Sequence, residues 1–530
     1  MIYSVPGSLI VFFLAVYTFR VFLSRHEPPL APLPPGPKPW PIIGNLIDLP
    51  RPPTLAYEHF AKFKNLYGPI SSITIFSQTF IVLNSHRLAV ELLGKRSAKY
   101  SSRPHLEFAK ELVGWKSFLL FLPHNDAFRA QRKAISREIG SKAAVGRFNN
   151  IQNVEVGRFL LRALKDPDGL LHHFRKQAAG LILRLGYGYI IEPHEDDPLV
   201  DLADTTLEQF SLTTLPVKYL PAWFPGAEFK KTAKVWRESL TAFLNKPYKF
   251  VKRQMNEMNY EPSFTSNLLR SGHVEPGSEE ESVIKWSAAG LYAGGAETTL
   301  STMSYLFLAM ILYPEAQEKA QEEIDRVVGT HRLPRFEDRD KLPYINALVK
   351  EILRWHPVGA IGFPHQVTED DICEGYFIPK GAQVLPIVWY ISTCLYEIIS
   401  NMRRSFTHDP DLYHDPMVFK PERFLARENY TPETNPEAFV FGFGRRICPG
   451  RILADSSLYL VIANFLAVFN ISHQIKDGQK VPVRWETRPG IVSHPVPFNF
   501  SLKPRSATHE ELVRTFEKEH PWESGHAKYL

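Results

Sequence analysis

The chain has 530 residues, 44% of them hydrophobic and 12% aromatic, with 22% charged, enough apolar mass to bury a large core and too much for a disordered chain. Its net charge of +6 comes without a long basic run, which sets nucleic acid aside as a partner and leaves an acidic protein or a membrane surface. Three cysteines, Cys373, Cys394 and Cys448, cannot build a disulfide framework, so they point to a reducing compartment and leave a thiol free for a metal.

From Ile2 to Leu23 the residues are almost all apolar or small, with Arg20 the only charge, and about 20 such residues cross a bilayer as a helix. A cleaved signal peptide is the competing reading, but no basic n-region precedes the run and no small-residue cleavage pattern comes after it. Arg20, Arg25 and Lys38 place the bulk of the chain on the cytoplasmic side. Residues 1–25 are therefore expected to be a single-pass membrane anchor. Eight prolines between Pro28 and Pro41 make residues 26–50 a stiff, extended hinge. No linker interrupts the chain from about residue 51 to residue 505, which is expected to be one large domain.

Within it, Ile70 to Leu83 is apolar and β-branched on both sides of a short polar break and reads as a hairpin. Beyond this hairpin the chain is mostly helical in period. Leu106 to Phe121 and Phe210 to Trp236 are rich in aromatics. Phe128 opens a helix on which Arg129 and Arg132 share a face. In Ala289-Gly-Leu-Tyr-Ala-Gly-Gly295-Ala-Glu297-Thr298-Thr299, Gly294 and Gly295 each cost a helix about 1 kcal/mol against alanine, so something is expected to pass close to the backbone there. Glu297 and Thr298, an acid and an alcohol, have the chemistry of a proton relay. Glu351 and Arg354 lie three apart on one helix face. Pro357 to His365 is an extended loop. Phe441-Gly-Phe-Gly444-Arg-Arg446-Ile-Cys448-Pro-Gly450 presents one thiol from a glycine-rich turn just before an apolar helix. Backbone N–H groups and neighbouring cations there would favour a thiolate, the glycines would admit a flat cofactor, and Arg446 could reach a carboxylate on its edge. Val481 to Phe500 reads as short strands whose tip, Pro489 to Phe498, could enter a pocket. Residues 506–530 are charged and read as a peripheral helix or tail.

The spacing of Phe441, Gly444, Arg446, Cys448 and Gly450 resembles the haem-binding loop of the cytochrome P-450 superfamily at every fixed position. The helix around Gly295, the Glu351–Arg354 pair with Arg423 in Pro421-Glu-Arg-Phe424, and the proline hinge resemble that family's other motifs in the same order. Within that family the chain resembles fungal O-methylsterigmatocystin oxidoreductase-like enzymes, a likeness carried by Thr407-His-Asp-Pro410, Tyr413 to Phe424, Ser493-His-Pro and His509 to Arg514. The resemblance implies a mainly α fold with small β-sheets. It implies haem b held by the Cys448 thiolate, with Arg132, Arg446 and His365 at the propionates and Phe441, Gly444 and Gly450 shaping the loop. Thr298 and Glu297 would deliver protons, while Glu351, Arg354 and Arg423 would form a structural triad. Phe128 departs from the family's tryptophan and loses an indole donor. The implied activity is insertion of one atom of O2 into an apolar organic substrate, in fungal secondary metabolism. Electrons would come from NADPH by way of NADPH-cytochrome P-450 reductase, docked on Arg129, Lys133, Arg137, Arg445 and Arg451, at the endoplasmic reticulum membrane. A haem-thiolate isomerase or dehydratase working without O2, and a non-catalytic haem protein, remain open.

Residues 390–404 depart from the pattern, which would join Trp389 to Ser405. They are either an apolar loop facing a membrane or partner, or a translated intron. The Trp-Tyr junction necessarily encodes a GTA donor and the closing Arg codon can supply AG, and the intron is the preferred reading.

Overall fold

The computed structural model describes residues 15–16, 31–51, 54–213, 229–257, 260–272, 274–389, 406–488 and 490–530. The expected anchor, apart from Ala15 and Val16, lies outside the described residues, as do residues 390–404 and the middle of the aromatic stretch after Phe210.

The expected hairpin is present, with β1 (Ile70–Ile75) antiparallel to β2 (Gln78–Leu83) and Ile70 opposite Leu83. It is half of a larger sheet, because two distant strands, β3 (His365–Gln366) and β4 (Gln383–Pro386), complete the order β1-β2-β4-β3. The proline-rich segment is extended, yet from Pro32 it is no free tether. Ser72 donates its N–H to Pro35 O at 2.9 Å and its hydroxyl to Pro34 O at 2.6 Å, and Phe377 N–H donates to Pro32 O at 2.8 Å. Gly36 passes so close that a Cβ there would lie 1.9 Å from Ser72 O.

The helical body is built from α1 (Asp126–Ile139), α2 (Asn149–Lys165), α3 (Leu170–Tyr187), α4 (Pro198–Leu212), α5 (Phe229–Asn256), α6 (Glu279–Leu312), α7 (Pro343–Trp355) and α8 (Arg451–Val468). Local chemistry sets the ends. Asn125 caps α1 through Phe128 N–H, and Ser278 caps α6 ahead of Glu279, Glu280 and Glu281, whose charges suit a helix N-terminus. α6 packs along α3 and is buried on all sides from Leu300 to Ile311, as a helix through the core is. α8 is apolar for the same reason. Among the described residues it is the one helix long and apolar enough to cross a membrane, and most of it is buried in the core.

Beyond α8, β5 (Phe469–Ser472) pairs with β8 (Ser501–Pro504), and β6 (Thr487–Arg488) pairs with β7 (His494–Pro495) in the expected hairpin. The last residues are more than a loose tail. After α9 (Ala507–Glu519) the chain straps across α2 and α3. Glu523 accepts from Arg158 and Arg184 at 2.6 Å each, the Arg162 guanidinium lies 5.0 Å from the Trp522 ring, and His526 exchanges backbone and ring hydrogen bonds with Ile190. The flanks of residues 390–404 also meet: Thr407 N–H donates to Val388 O at 3.2 Å.

Candidate active site

Cys448 sits at the end of a loop closed by its own N–H, which donates to Phe441 O at 2.7 Å. A 3-10 turn, Gly444–Arg446, comes between, and α8 starts at Arg451 with Gly450 as its cap. Burial pushes the Cys448 thiol up, against the pull of the Gly450 and Arg451 N–H groups and the charges of Arg132 and Arg451. A metal at the sulfur would make the thiolate the stable form. The two motif glycines play different parts in the protein packing around the loop. Gly444 has φ +51°, and a Cβ on it would lie 2.4 Å from Leu93 O and 2.9 Å from Ser97 Cβ. It lets the loop pass another stretch of backbone, residues 93–97. Gly450 would place a Cβ 3.9 Å from the Cys448 sulfur, an ordinary contact, and contributes its N–H.

Around the loop stands a cluster of cations. Arg446 donates to Ser101 O at 2.7 Å and Leu122 O at 2.6 Å, and its guanidinium lies 4.0 Å from the Phe128 ring. Phe128 thus replaces an indole donor with a π-face for arginine. Arg132 donates to Ile447 O at 2.5 Å, next to the cysteine. Arg103, which the sequence motifs do not mark, donates to Leu120 O, Phe363 O and Pro364 O at 3.1, 2.7 and 2.7 Å. Among the described residues, the hydrogen bonds of these three arginines all go to carbonyls and none to a carboxylate. Burial and the neighbouring charge of Arg446 bring Arg103 down to about 9, and burial with Arg132 brings Arg446 down to about 10. His365 donates from Nδ1 to Tyr100 O at 2.7 Å, and burial, then Arg103, hold it well below the usual imidazole range. In that neutral form Nε2 only accepts, so contact with a carboxylate there needs a second proton, which an anion in the cluster would itself favour. Concentrated positive charge without an anionic partner is costly unless an anion joins it. The donor set fits a group carrying two carboxylates, as haem does.

α6 opens where the relay residues lie. It is buried at 286–289 and at Leu291 and Tyr292, and again from Leu300, but 293–299 are at least partly exposed, and a Cβ on Gly294 would meet nothing within 4 Å. At Gly295 the close neighbour is Ile182 of α3, 2.8 Å from an added Cβ, so that glycine serves helix packing. Thr298 donates its hydroxyl to Gly294 O at 2.5 Å. Glu297 pairs elsewhere, with His494 Nε2 of β7 at 2.8 Å. Burial raises the Glu297 carboxyl, but the His494 contact and charge and the Arg175 charge outweigh it and hold Glu297 below its usual range. No local periodicity in the sequence signals the His494 contact.

Glu351, Arg354 and Arg423 are brought together and buried. Arg354 makes two 2.8 Å bonds to Glu351, and Arg423 Nε lies 3.2 Å from the same carboxylate. The aromatics Trp115, Phe118, Phe121 and Phe210 form edge-on and tilted ring contacts at 4.8–6.2 Å on one side of α6. Lys133, Arg137 and Arg445 are exposed, and Arg129 is exposed beside Asp126.

A mainly helical chain with a cysteine loop against an apolar core helix defines the haem-thiolate class, and residues 34–502 match the family model described as Cytochrome P-450. The chain belongs to the cytochrome P-450 family, whose members bind haem through a cysteine thiolate, and it is a monooxygenase. It is 47% identical to Cytochrome P-450 monooxygenase ppsD of Aspergillus oryzae over 94% of each chain. It is 45% identical to Cytochrome P-450 monooxygenase claR of Ampulloclitocybe clavipes over 92% of this chain and 89% of that one. It is also 42% identical to O-methylsterigmatocystin oxidoreductase of Aspergillus flavus over 94% of this chain and 92% of that one.

Proposed function

We propose that the chain inserts one atom of O2 into an apolar secondary metabolite, with NADPH-derived electrons delivered by a flavoprotein reductase. Haem bound through Cys448 would supply the electron-rich iron that favours O–O cleavage. Arg103, Arg132 and Arg446 would neutralise its carboxylates, and the aromatic side of α6 would receive the substrate. Thr298 would hold a proton at its hydroxyl beside the open stretch of α6, and Glu297 would replenish it.

The observation that favours oxygen insertion over a rearrangement without O2 is the adjacent acid and alcohol in the partly exposed stretch of α6, beside a Cβ-free opening at Gly294. A rearranging enzyme has no use for such a relay. The relatives named as monooxygenases support the same reading. The apolar run at residues 1–25 supports an anchor in the endoplasmic reticulum membrane with the domain facing the cytoplasm. Exposed Lys133, Arg137 and Arg445 support an acidic reductase surface.

The test is reconstitution of the full chain with NADPH and a fungal cytochrome P-450 reductase, under 18O2, with extracts of apolar fungal metabolites. One 18O atom in a product is the expected result. Conversion that proceeds equally without NADPH and O2 refutes the proposal in favour of an isomerase or dehydratase.

A further inference from the structure

The β6–β7 hairpin is fastened to the interior at several polar points. Thr487 Oγ1 meets the Tyr305 hydroxyl at 2.9 Å, the Ser301 hydroxyl donates to Ser493 O, and Ser493 N–H donates to Val358 O at 3.0 Å. A further point is His494, whose Nε2 is 2.8 Å from Glu297 Oε1. The contact is at ion-pair distance but not aligned as a straight hydrogen bond, and this buried nitrogen has no other partner among the described residues. Between the two strands, Ile491 packs on the apolar cluster that includes Trp115, Phe118 and Trp286. One short hairpin therefore touches the aromatic pocket with one residue and the acid of α6 with another.

Around Glu297, Arg175 of α3 adds attraction, Asp204 of α4 adds repulsion, and Tyr292 lies on the same helix. Asp204 is engaged by Arg175 at 3.0 Å, which leaves His494 as the direct contact of the carboxylate. Thr298, next in sequence, is bonded to Gly294 O. As it stands, the acid is tied to the hairpin and the alcohol to its own helix.

We propose that His494 is a positioning residue for Glu297: its imidazole, at ion-pair distance, holds the carboxylate against the pocket hairpin, so that where the hairpin sits decides whether Glu297 faces His494 or Thr298. This rests on the relay role proposed for Glu297. It joins the substrate side of the pocket to the proton side through a contact carried on one hairpin.

The test uses the haem-loaded full chain in its resting state and needs no substrate. Four variants are compared with the parent: His494→Leu, His494→Gln, Glu297→Gln and the double variant His494→Leu/Glu297→Gln. Infrared difference spectra identify the Glu297 carboxyl band by its loss in Glu297→Gln, and the band is followed against pH. An opposite charge within about 4–6 Å lowers a carboxyl by one to three pH units, so in His494→Leu the band should persist at least about one unit higher in pH. His494→Gln, which keeps an N–H donor without the charge, should fall between. Hydrogen exchange of the amides in residues 490–496 should quicken roughly fivefold in both His494→Leu and Glu297→Gln, the factor for losing a partly exposed charged contact. It should quicken no further in the double variant. A carboxyl band that titrates identically in His494→Leu and the parent overturns the proposal, as does a hairpin whose exchange ignores Glu297→Gln. The relay role is judged separately, by turnover of Glu297→Gln, so the two ideas can fail independently.

Discussion

Replacing Glu351 with glutamine tests the reasoning about the buried triad. Glu351 has no exposed surface and accepts two 2.8 Å bonds from Arg354, one of 2.7 Å from Lys420 N–H, and the Arg423 contact at 3.2 Å. Glutamine has the same shape, so no cavity opens, but it removes the negative charge and turns an NH2 toward donors. Arg354 would then be a buried cation with no carboxylate, left with the amide oxygen and the carbonyls of Thr407, Pro416 and Val418, and Arg423 would keep Glu433 alone as its carboxylate. Removing one partner of a buried pair costs about 3–5 kcal/mol, set against a typical total stability of about 5–15 kcal/mol. A chain of this size is expected to unfold irreversibly, so the assay is the rate of unfolding and haem release in urea rather than a midpoint. If the lost stability falls on that barrier, about 3 kcal/mol corresponds to a rate increase of more than roughly 100-fold. The control is Arg253→Gln, which breaks an exposed pair with Glu257 and should leave the rate within about twofold. A Glu351→Gln protein that unfolds no faster than this control refutes the structural role given to the triad.

Cys448→Ser should fold but lose the thiolate-type Soret band of the reduced carbon monoxide complex, while Cys373→Ser should keep it; a thiolate band surviving in Cys448→Ser refutes the ligand assignment. Thr298→Ala should retain haem and divert electrons from NADPH into peroxide, and unchanged coupling would count against the relay. Deleting residues 390–404 should leave a folded chain with equal or better haem incorporation, because Val388 and Thr407 already meet across the gap; poorer incorporation would show the segment to be a working part of the protein. Asp338, doubly bonded by Arg332 at 2.6 and 2.7 Å, is held below its usual range by those bonds, against burial. Its folded pKa is depressed, so its contribution is complete above the unfolded value, about 3.9, and is lost as pH falls through the folded value. Asp338→Asn should therefore be less stable than the parent at pH 6 and converge with it in strong acid. A gap that widens in acid would show the sign to be wrong.

The features legible in the chain alone are those written locally. The hairpin at Ile70 to Leu83 and the α8 run announce themselves by period, and the Cys448 loop by its spacing. The parallel pairing of β4 with β2 joins residues some 300 apart, and nothing in either strand specifies the other. Arg103 obeys the same rule: in Ser101-Ser-Arg-Pro it looks like any loop cation, and only packing against Phe363, Pro364 and Leu120 gives it a place. Gly444 is recognisable as obligatory, but its reason is not, since the crowding atom belongs to Leu93, hundreds of residues earlier. Glu297 is marked by its neighbour Thr298, whereas its actual partner His494 comes from the far end of the chain.

The C-terminal strap also puts a clock on synthesis. Arg158 and Arg184 leave the ribosome early, and Arg158 can pair at once with Glu155, but both wait for Glu523 to complete their sites. At about 5–20 residues per second, the 365 residues that separate Arg158 from Glu523 take roughly 20–70 s to make. Through that interval Arg158 and Arg162 of α2 and Arg184 of α3 await Glu523 and Trp522. A message truncated shortly before its end would encode every motif residue and still yield a chain unable to close this seam, marked for removal by its own open flank.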